Sequence, residues 1–154
     1  MKRLLLIVGV LLTTNLNAYF SFDKLYFLPD DKKQVKAEVI KLINNSNNTI
    51  DIAMYNINYK KLIKALNKAS KNGVKINIFY EKKEGNFHKK IKFFKTRSKL
   101  HTKIAIFDKK IVYYGSANWK KKSFKENYEV INITNEKQKV EKFNNFFIKL
   151  KENN

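Results

Sequence analysis

The chain has 154 residues, a formal net charge of +20 and no cysteine. That length suits one domain of ordinary size, and the lack of thiols excludes a disulfide framework, a lipid-modified cysteine and any thiolate metal site. So large a positive excess points to a polyanionic partner, either a nucleic acid or an anionic membrane surface.

Residues 1–18 open with Lys2 and Arg3, continue as the uncharged run Leu4 to Leu12, and end in a polar stretch closing at Ala18. This reads as a secretory leader followed by one domain over 19–154, which predicts export to the periplasm. The apolar run is too short to span a bilayer, although an uncleaved leader would leave the protein associated with the membrane. Leu25 to Leu28 is predicted as a short strand closed by Pro29. Asp31 and Gln34 have capping-box spacing and open a helix with Val35, Val39, Leu42 and Ile43 inward. Asn44 to Asn48 stops it. Thr49 to Tyr55 reads as a strand. Asn58 is placed to cap a second helix that buries Leu62, Ile63, Leu66 and Ala69 and ends at Gly73. Val74 to Tyr80 is the next strand.

Residues 81–99 are the least regular part, with Lys89, Lys90 and Arg97 among many cations and Phe87, Phe93 and Phe94 between them. Tyr128 to Ile133 is strand-like. Asn135 and Gln138 offer a last helix start, with Val140, Phe143, Phe147 and Leu150 on one face. The alternation of strands and helices predicts an α/β fold, a single domain with a mixed β-sheet and helices on both faces.

Between these flanks lies LHTKIAIFDKKIVYYGSANW, residues 100–119. It holds His101, Lys103, Asp108, Gly115, Ser116 and Asn118 in the pattern H-x-K, four residues, D, six residues, G-S-x-N. A strand over His101 to Phe107 would point the imidazole and the ammonium to one face. Asp108-Lys109-Lys110 would turn the chain, and Ile111 to Tyr114 would return as a second strand. Ser116 and Asn118 would then come back toward His101. Such a group offers a nucleophile or base, a cation for a phosphate oxygen, and neutral hydrogen-bonding side chains. No carboxylate pair or Cys/His cluster accompanies it, so neither a metal nor another cofactor is expected.

On these residues the chain resembles the phospholipase D superfamily, and in particular its short one-motif bacterial secreted endonucleases. The resemblance implies that His101 attacks phosphorus to give a phosphohistidine, that Lys103 and Asn118 bind the phosphoryl oxygens, and that Ser116 supports the site. It adds Glu129 as the acid that orients the histidine. Asp108 belongs to the motif, with a structural role as open as a chemical one. Superfamily sites use two histidines, and the other one here, His88, lacks the aspartate and the G-S-x-N that follow in the motif. A homodimer sharing its site would supply a second His101.

The cations beside the motif, Lys120, Lys121 and Lys122 with Lys89, Lys90 and Arg97, are candidates for contact with DNA, single-stranded DNA included, or RNA. Trp119 is a candidate for stacking on a base and equally for the core. The same motif serves phospholipid headgroups such as those of cardiolipin, which makes a lipid hydrolase one alternative. A DNA-binding envelope protein without turnover is the other.

Overall fold

The computed structural model describes residues 20–154, and the predicted leader lies outside them. Its centre is the strand Thr49–Ile57, whose alternation sends Ile50, Ile52 and Met54 to one face and Ala53 to the other. In chain order the elements are β1 (Asp23–Leu28), α1 (Lys32–Asn45), β2 (Thr49–Ile57), α2 (Lys60–Lys71), β3 (Lys75–Lys83) and β4 (Lys92–Lys95). They continue with β5 (Lys103–Phe107), β6 (Ile111–Gly115), α3 (Lys121–Lys125), β7 (Glu129–Thr134) and α4 (Lys137–Glu152).

The strands form one sheet in the order β1-β7-β6-β5-β2-β3-β4. β2, β3 and β4 are parallel, joined in the first case by α2, and the remaining pairs are antiparallel. The expected mixed sheet is thus present, with helices on both faces. On one face Ile50, Ile52, Ile76, Ile78 and Phe107 share a core with Val35, Val39 and Ile43 of α1, Leu62 and Leu66 of α2, and Phe124 of α3. On the other, α4 lays Val140 and Phe147 over Ala53, Phe79, Ile104, Ile106 and Val112. Among the described residues no helix is long and apolar enough to cross a membrane.

Several expectations need correction. The Asp31 carboxylate does not cap α1; it accepts the Phe27 amide at 2.8 Å and so fastens the turn out of β1. Asn58 does not cap α2 either. Tyr59 holds that place, and the Asn58 amide group donates to Glu84 at 2.7 Å. Asn135 is drawn away from α4 toward the start of the domain, where it accepts from the Phe22 amide and donates to the Phe20 carbonyl. The segment 81–99 is more regular than its charge suggested, because β3 runs on through Lys83 and Lys92–Lys95 adds an edge strand. Its phenylalanines pack inward: Phe94 stacks on Phe79 at 4.9 Å between centroids, and Phe93 meets Phe87 edge to face.

Candidate active site

The hairpin that the motif implied is present. β5 and β6 pair antiparallel from Ile104↔Tyr114 to Phe107↔Ile111, and the turn is made by Asp108 and Lys109, both at positive φ, with the Lys110 amide donating to Phe107 O at 2.9 Å. Two successive left-handed residues match the twist of a tight hairpin, and a short polar side chain such as Asp tolerates that conformation. β6 then returns the chain to the start of β5 and ends at Gly115. A side chain there would place its Cβ 2.1 Å from the Val130 carbonyl oxygen, so only glycine lets β6 close on β7.

The result is a cluster at one end of the sheet, where β2, β3 and β4 end and β5 and β7 begin. His101 precedes β5 rather than belonging to it, a correction to the strand predicted from that residue; it is exposed, and no described residue hydrogen-bonds its imidazole. Lys103, the first residue of β5, is only 6% exposed, and its ammonium donates to the His101 carbonyl at 2.6 Å. Burial pushes the ammonium below the ordinary lysine value, and the nearby Glu129 carboxylate pulls it partly back. A buried cation beside an open imidazole is the arrangement an anionic phosphodiester would complete.

Ser116 and Glu129 lie at the same end, where β6 ends and β7 begins. Ser116 Oγ donates to Glu129 Oε2 at 2.5 Å and accepts the Val130 amide at 3.1 Å, while Asn127 donates to Glu129 Oε1 at 3.0 Å. The expected pairing of Glu129 with His101 is therefore replaced by one with Ser116 and Asn127. Asn118 accepts a long bond, 3.4 Å, from the Asn56 amide. Asn56 is itself buried, with Oδ1 unpartnered.

Two expected site residues, Asp108 and Trp119, have structural roles. Asp108 sits at the far end of β5, about 16 Å from Lys103 at roughly 3.3 Å per residue. There its carboxylate accepts the backbone amides of Asn47, Asn48 and Thr49, each at 2.8 Å. Burial alone would raise this acid, but the three amides outweigh it and hold the carboxyl below its ordinary value. Its role is to tie the hairpin to the start of β2. Trp119 is fully buried against Tyr113, edge to face, with its amide on Met54 Sδ; the stacking role is corrected to a core role.

The remaining candidates are cations on the surface or near it. Lys121 and Lys122 are exposed in the first turn of α3, and Lys120 is half-buried beside Asn118. Arg97 is exposed beyond the site-side end of β4, whereas Lys89 and Lys90 precede that strand and so lie at its other end. His88 is a structural residue, bonded through Nδ1 to Ser70 Oγ at 3.0 Å and through its amide to Asn67.

Two residues of this end escaped sequence reasoning. Glu81 of β3 accepts the Leu100 amide at 3.1 Å and so fixes the residue before His101. Asn56 was visible only as a polar side chain at the same parity as Ile50, Ile52 and Met54. Among the described residues no group of three His, Asp or Glu side chains gathers that could hold a metal ion.

Comparison with known proteins agrees with this geometry. A family model described as cardiolipin synthase, PLD-like domain, matches residues 39–151. Among solved structures, NucT from Helicobacter pylori superposes with a TM-score of 0.76 at 25% identity, covering 87% of this chain and 98% of that one. Nuc from Salmonella typhimurium, described as a phospholipase D family member, gives 0.72 at 21% identity over 87% and 96%. A polyphosphate kinase from Porphyromonas gingivalis gives 0.70 at 16% identity, over 86% of this chain but 26% of its own. No curated protein matches the sequence.

Proposed function

The chain belongs to the phospholipase D superfamily and has its phosphodiesterase fold, and from that premise we propose that it is a metal-independent endonuclease for DNA, and for RNA as a second substrate. The observation that carries this reading is the open His101 imidazole beside the buried Lys103 ammonium. One ring nitrogen of His101 attacks phosphorus, and Lys103 with Asn118 takes up the charge on the non-bridging oxygens. The bond to the leaving oxygen breaks, and that oxygen takes a proton from a second histidine. The second histidine then removes a proton from water, whose oxygen attacks the phosphohistidine, breaks the P–N bond and frees His101.

One chain offers one such histidine, because His88 is engaged with Ser70 and Asn67. The second is His101 of a partner copy across a two-fold axis. Support for such an axis comes from Phe27, Val130 and Tyr128, large apolar side chains exposed beside Glu129 at the β1–β7 end of the sheet. They sit on a surface that a second subunit would cover. Export and attachment to the membrane through residues 1–18 belong to the same proposal.

The test is incubation of the purified full-length chain with circular single-stranded DNA in excess EDTA, beside His101→Ala prepared identically. Wild-type cutting is expected, with a fall of at least about 10⁴-fold in the variant, in the range seen when a nucleophile is removed. Cutting by His101→Ala at the wild-type rate would refute the reading. Sedimentation of a fully active monomer would remove the second histidine. The name of the matching family favours one other substrate, the phospholipid headgroup; release of phosphatidic acid from cardiolipin vesicles, with DNA left intact, would establish that instead.

A further inference from the structure

Helix α2, KKLIKALNKASK, carries five lysines and no acid. Lys60, Lys64, Lys68 and Lys71 recur at intervals of four, four and three, which sets them in one stripe along the helix. The opposite side is buried through Leu62, Leu66 and Ala69. All five ammonium groups are on exposed residues, and no described residue forms an ion pair or hydrogen bond with any of them. Ion pairs among the described residues are confined to Lys139 with Asp23 and Glu136, Lys151 with Asp51, and Lys24 with Glu38.

The stripe forms one wall of a groove of about 1060 Å³, closed on its other sides by Ile40 and Asn44 of α1 and by Gly85 and Asn86, and among the described residues no acidic one lines it. Lys60 and Lys61 also occupy the first turn of α2, where the helix dipole disfavours positive charge and no acid offsets them. Helix stability alone does not favour cations there. The groove begins at the catalytic end of the sheet, since the amides of Asn58 and Tyr59 both donate to the carbonyl of Trp119, next to Asn118. At the other end, the loop holding Lys89 and Lys90 is fastened to Asn67 and Ser70 of α2 through His88.

We propose that the α2 stripe is a second binding site for a phosphodiester backbone, which carries the single strand away from His101 along the groove. This inference rests on the nuclease reading above. The stripe from Lys60 to Lys71 is about 16 Å long at about 1.5 Å per residue, the length of four or five nucleotides of stacked strand at about 3.4 Å each. Among the described residues no aromatic side chain lines the groove, so contact is with the backbone and is indifferent to base.

The experiment compares the full-length wild type with a variant in which Lys60, Lys64, Lys68 and Lys71 are all replaced by Gln, its fold checked by thermal melting. Substrates are a thymidine trimer and a 20-mer. In the wild type the 20-mer is preferred in kcat/KM. In the variant that preference collapses, with KM for the 20-mer up at least about tenfold. The slope of log affinity against log salt for the 20-mer shrinks by about 3, at about 0.7 per lost single-strand contact. Arg at the same four positions restores both. An unchanged slope and KM in the Gln variant would overturn the proposal and make α2 a solvated face.

If the wild type cuts neither substrate, the nuclease reading fails, and the salt slope of 20-mer binding still decides the site: dependence on the four lysines keeps it, and independence overturns it. Loss of binding to phosphatidylglycerol vesicles in the Gln variant, with 20-mer binding intact, would overturn it in favour of a membrane surface.

Discussion

At the far end of β5 the Asp108 carboxylate takes three backbone amides and closes a turn, whereas at the near end the His101 imidazole has no partner among the described residues and the Lys103 ammonium is buried beside it. These residues belong to one motif only eight positions long from His101 to Asp108, yet the strand between them carries them to opposite ends of the sheet. Polar groups at the Asp108 end are saturated by the protein itself, as folding alone would favour. At the other end Lys103, Ser116 and Glu129 also find partners within the protein, and the imidazole of His101 is left exposed. A spacing pattern can therefore mix residues that perform chemistry with residues that hold the strand which presents them.

The sharpest way to break this comparison is at Lys103. Replacing it with Met should lower activity by about 10²- to 10³-fold, the cost of removing a group that stabilises developing charge. Stability should stay within about 1 kcal/mol of wild type, because an apolar side chain of similar length suits a buried site. A pH profile adds a second readout. Burial holds the Lys103 pKa below the ordinary lysine value of 10.5, so folding penalises its protonated form, and stability should gain as pH rises from the depressed value toward 10.5. In Lys103→Met that gain should be absent, measured as the melting midpoint against pH. A variant that unfolded at neutral pH would show Lys103 to be structural, like Asp108.

Asp108→Ala should do the reverse. It strips a carboxylate from three amides, and bonds to a charged acceptor are each strong; with partial exposure discounted, the loss is about 2 to 3 kcal/mol of stability. Well below the melting temperature, turnover should stay within about twofold of wild type. Because the folded pKa lies below 3.8, the contribution is complete above that value and is lost as pH falls through the depressed one. Acid unfolding of the alanine variant should consequently be shallower than that of the wild type. A collapse of turnover with stability intact would place Asp108 in the chemistry after all.

Much of the fold was legible because its signals are local. Period-two runs fixed β2, β3 and β7 to within a few residues, and the Asp-Lys-Lys turn fixed the hairpin. What escaped depends on pairing over distance. The parity of Ile50, Ile52 and Met54 could not show that β5 would lie beside β2 and bring Thr49 to Asp108. Trp119 stood equally between a stacking and a core role because three lysines follow it; Lys121 and Lys122 are exposed on α3 while Tyr113 and Met54 enclose the indole. Four residues, Lys92–Lys95, read as part of a charge run; they became a strand because β3 offered a free edge. The partner of Glu129 was misassigned for the same reason, since Ser116 reaches it through the pairing of β6 with β7.

The smallest expected effect is at Glu81, and it tests how far the division of the motif extends. Its carboxylate accepts the Leu100 amide at 3.1 Å, so it positions the segment that ends in His101 without touching the substrate site itself. Glu81→Gln keeps an acceptor of the same shape and removes the charge, which should weaken the bond by about 1 kcal/mol or less. Stability should barely change, while kcat falls about threefold to tenfold at constant KM, because a nucleophile held less firmly is in line with phosphorus for less of the time. The matching change at the other end, Asp108→Asn, should move the melting midpoint and leave kcat alone. Steady-state kinetics and melting on the two variants side by side give crossed outcomes if one end of β5 is built for turnover and the other for folding. Should Glu81→Gln lower the melting midpoint with kcat intact, its bond would belong with the Asp108 anchors, and the reactive end would shrink to His101, Lys103 and the Ser116–Glu129 pair beside them.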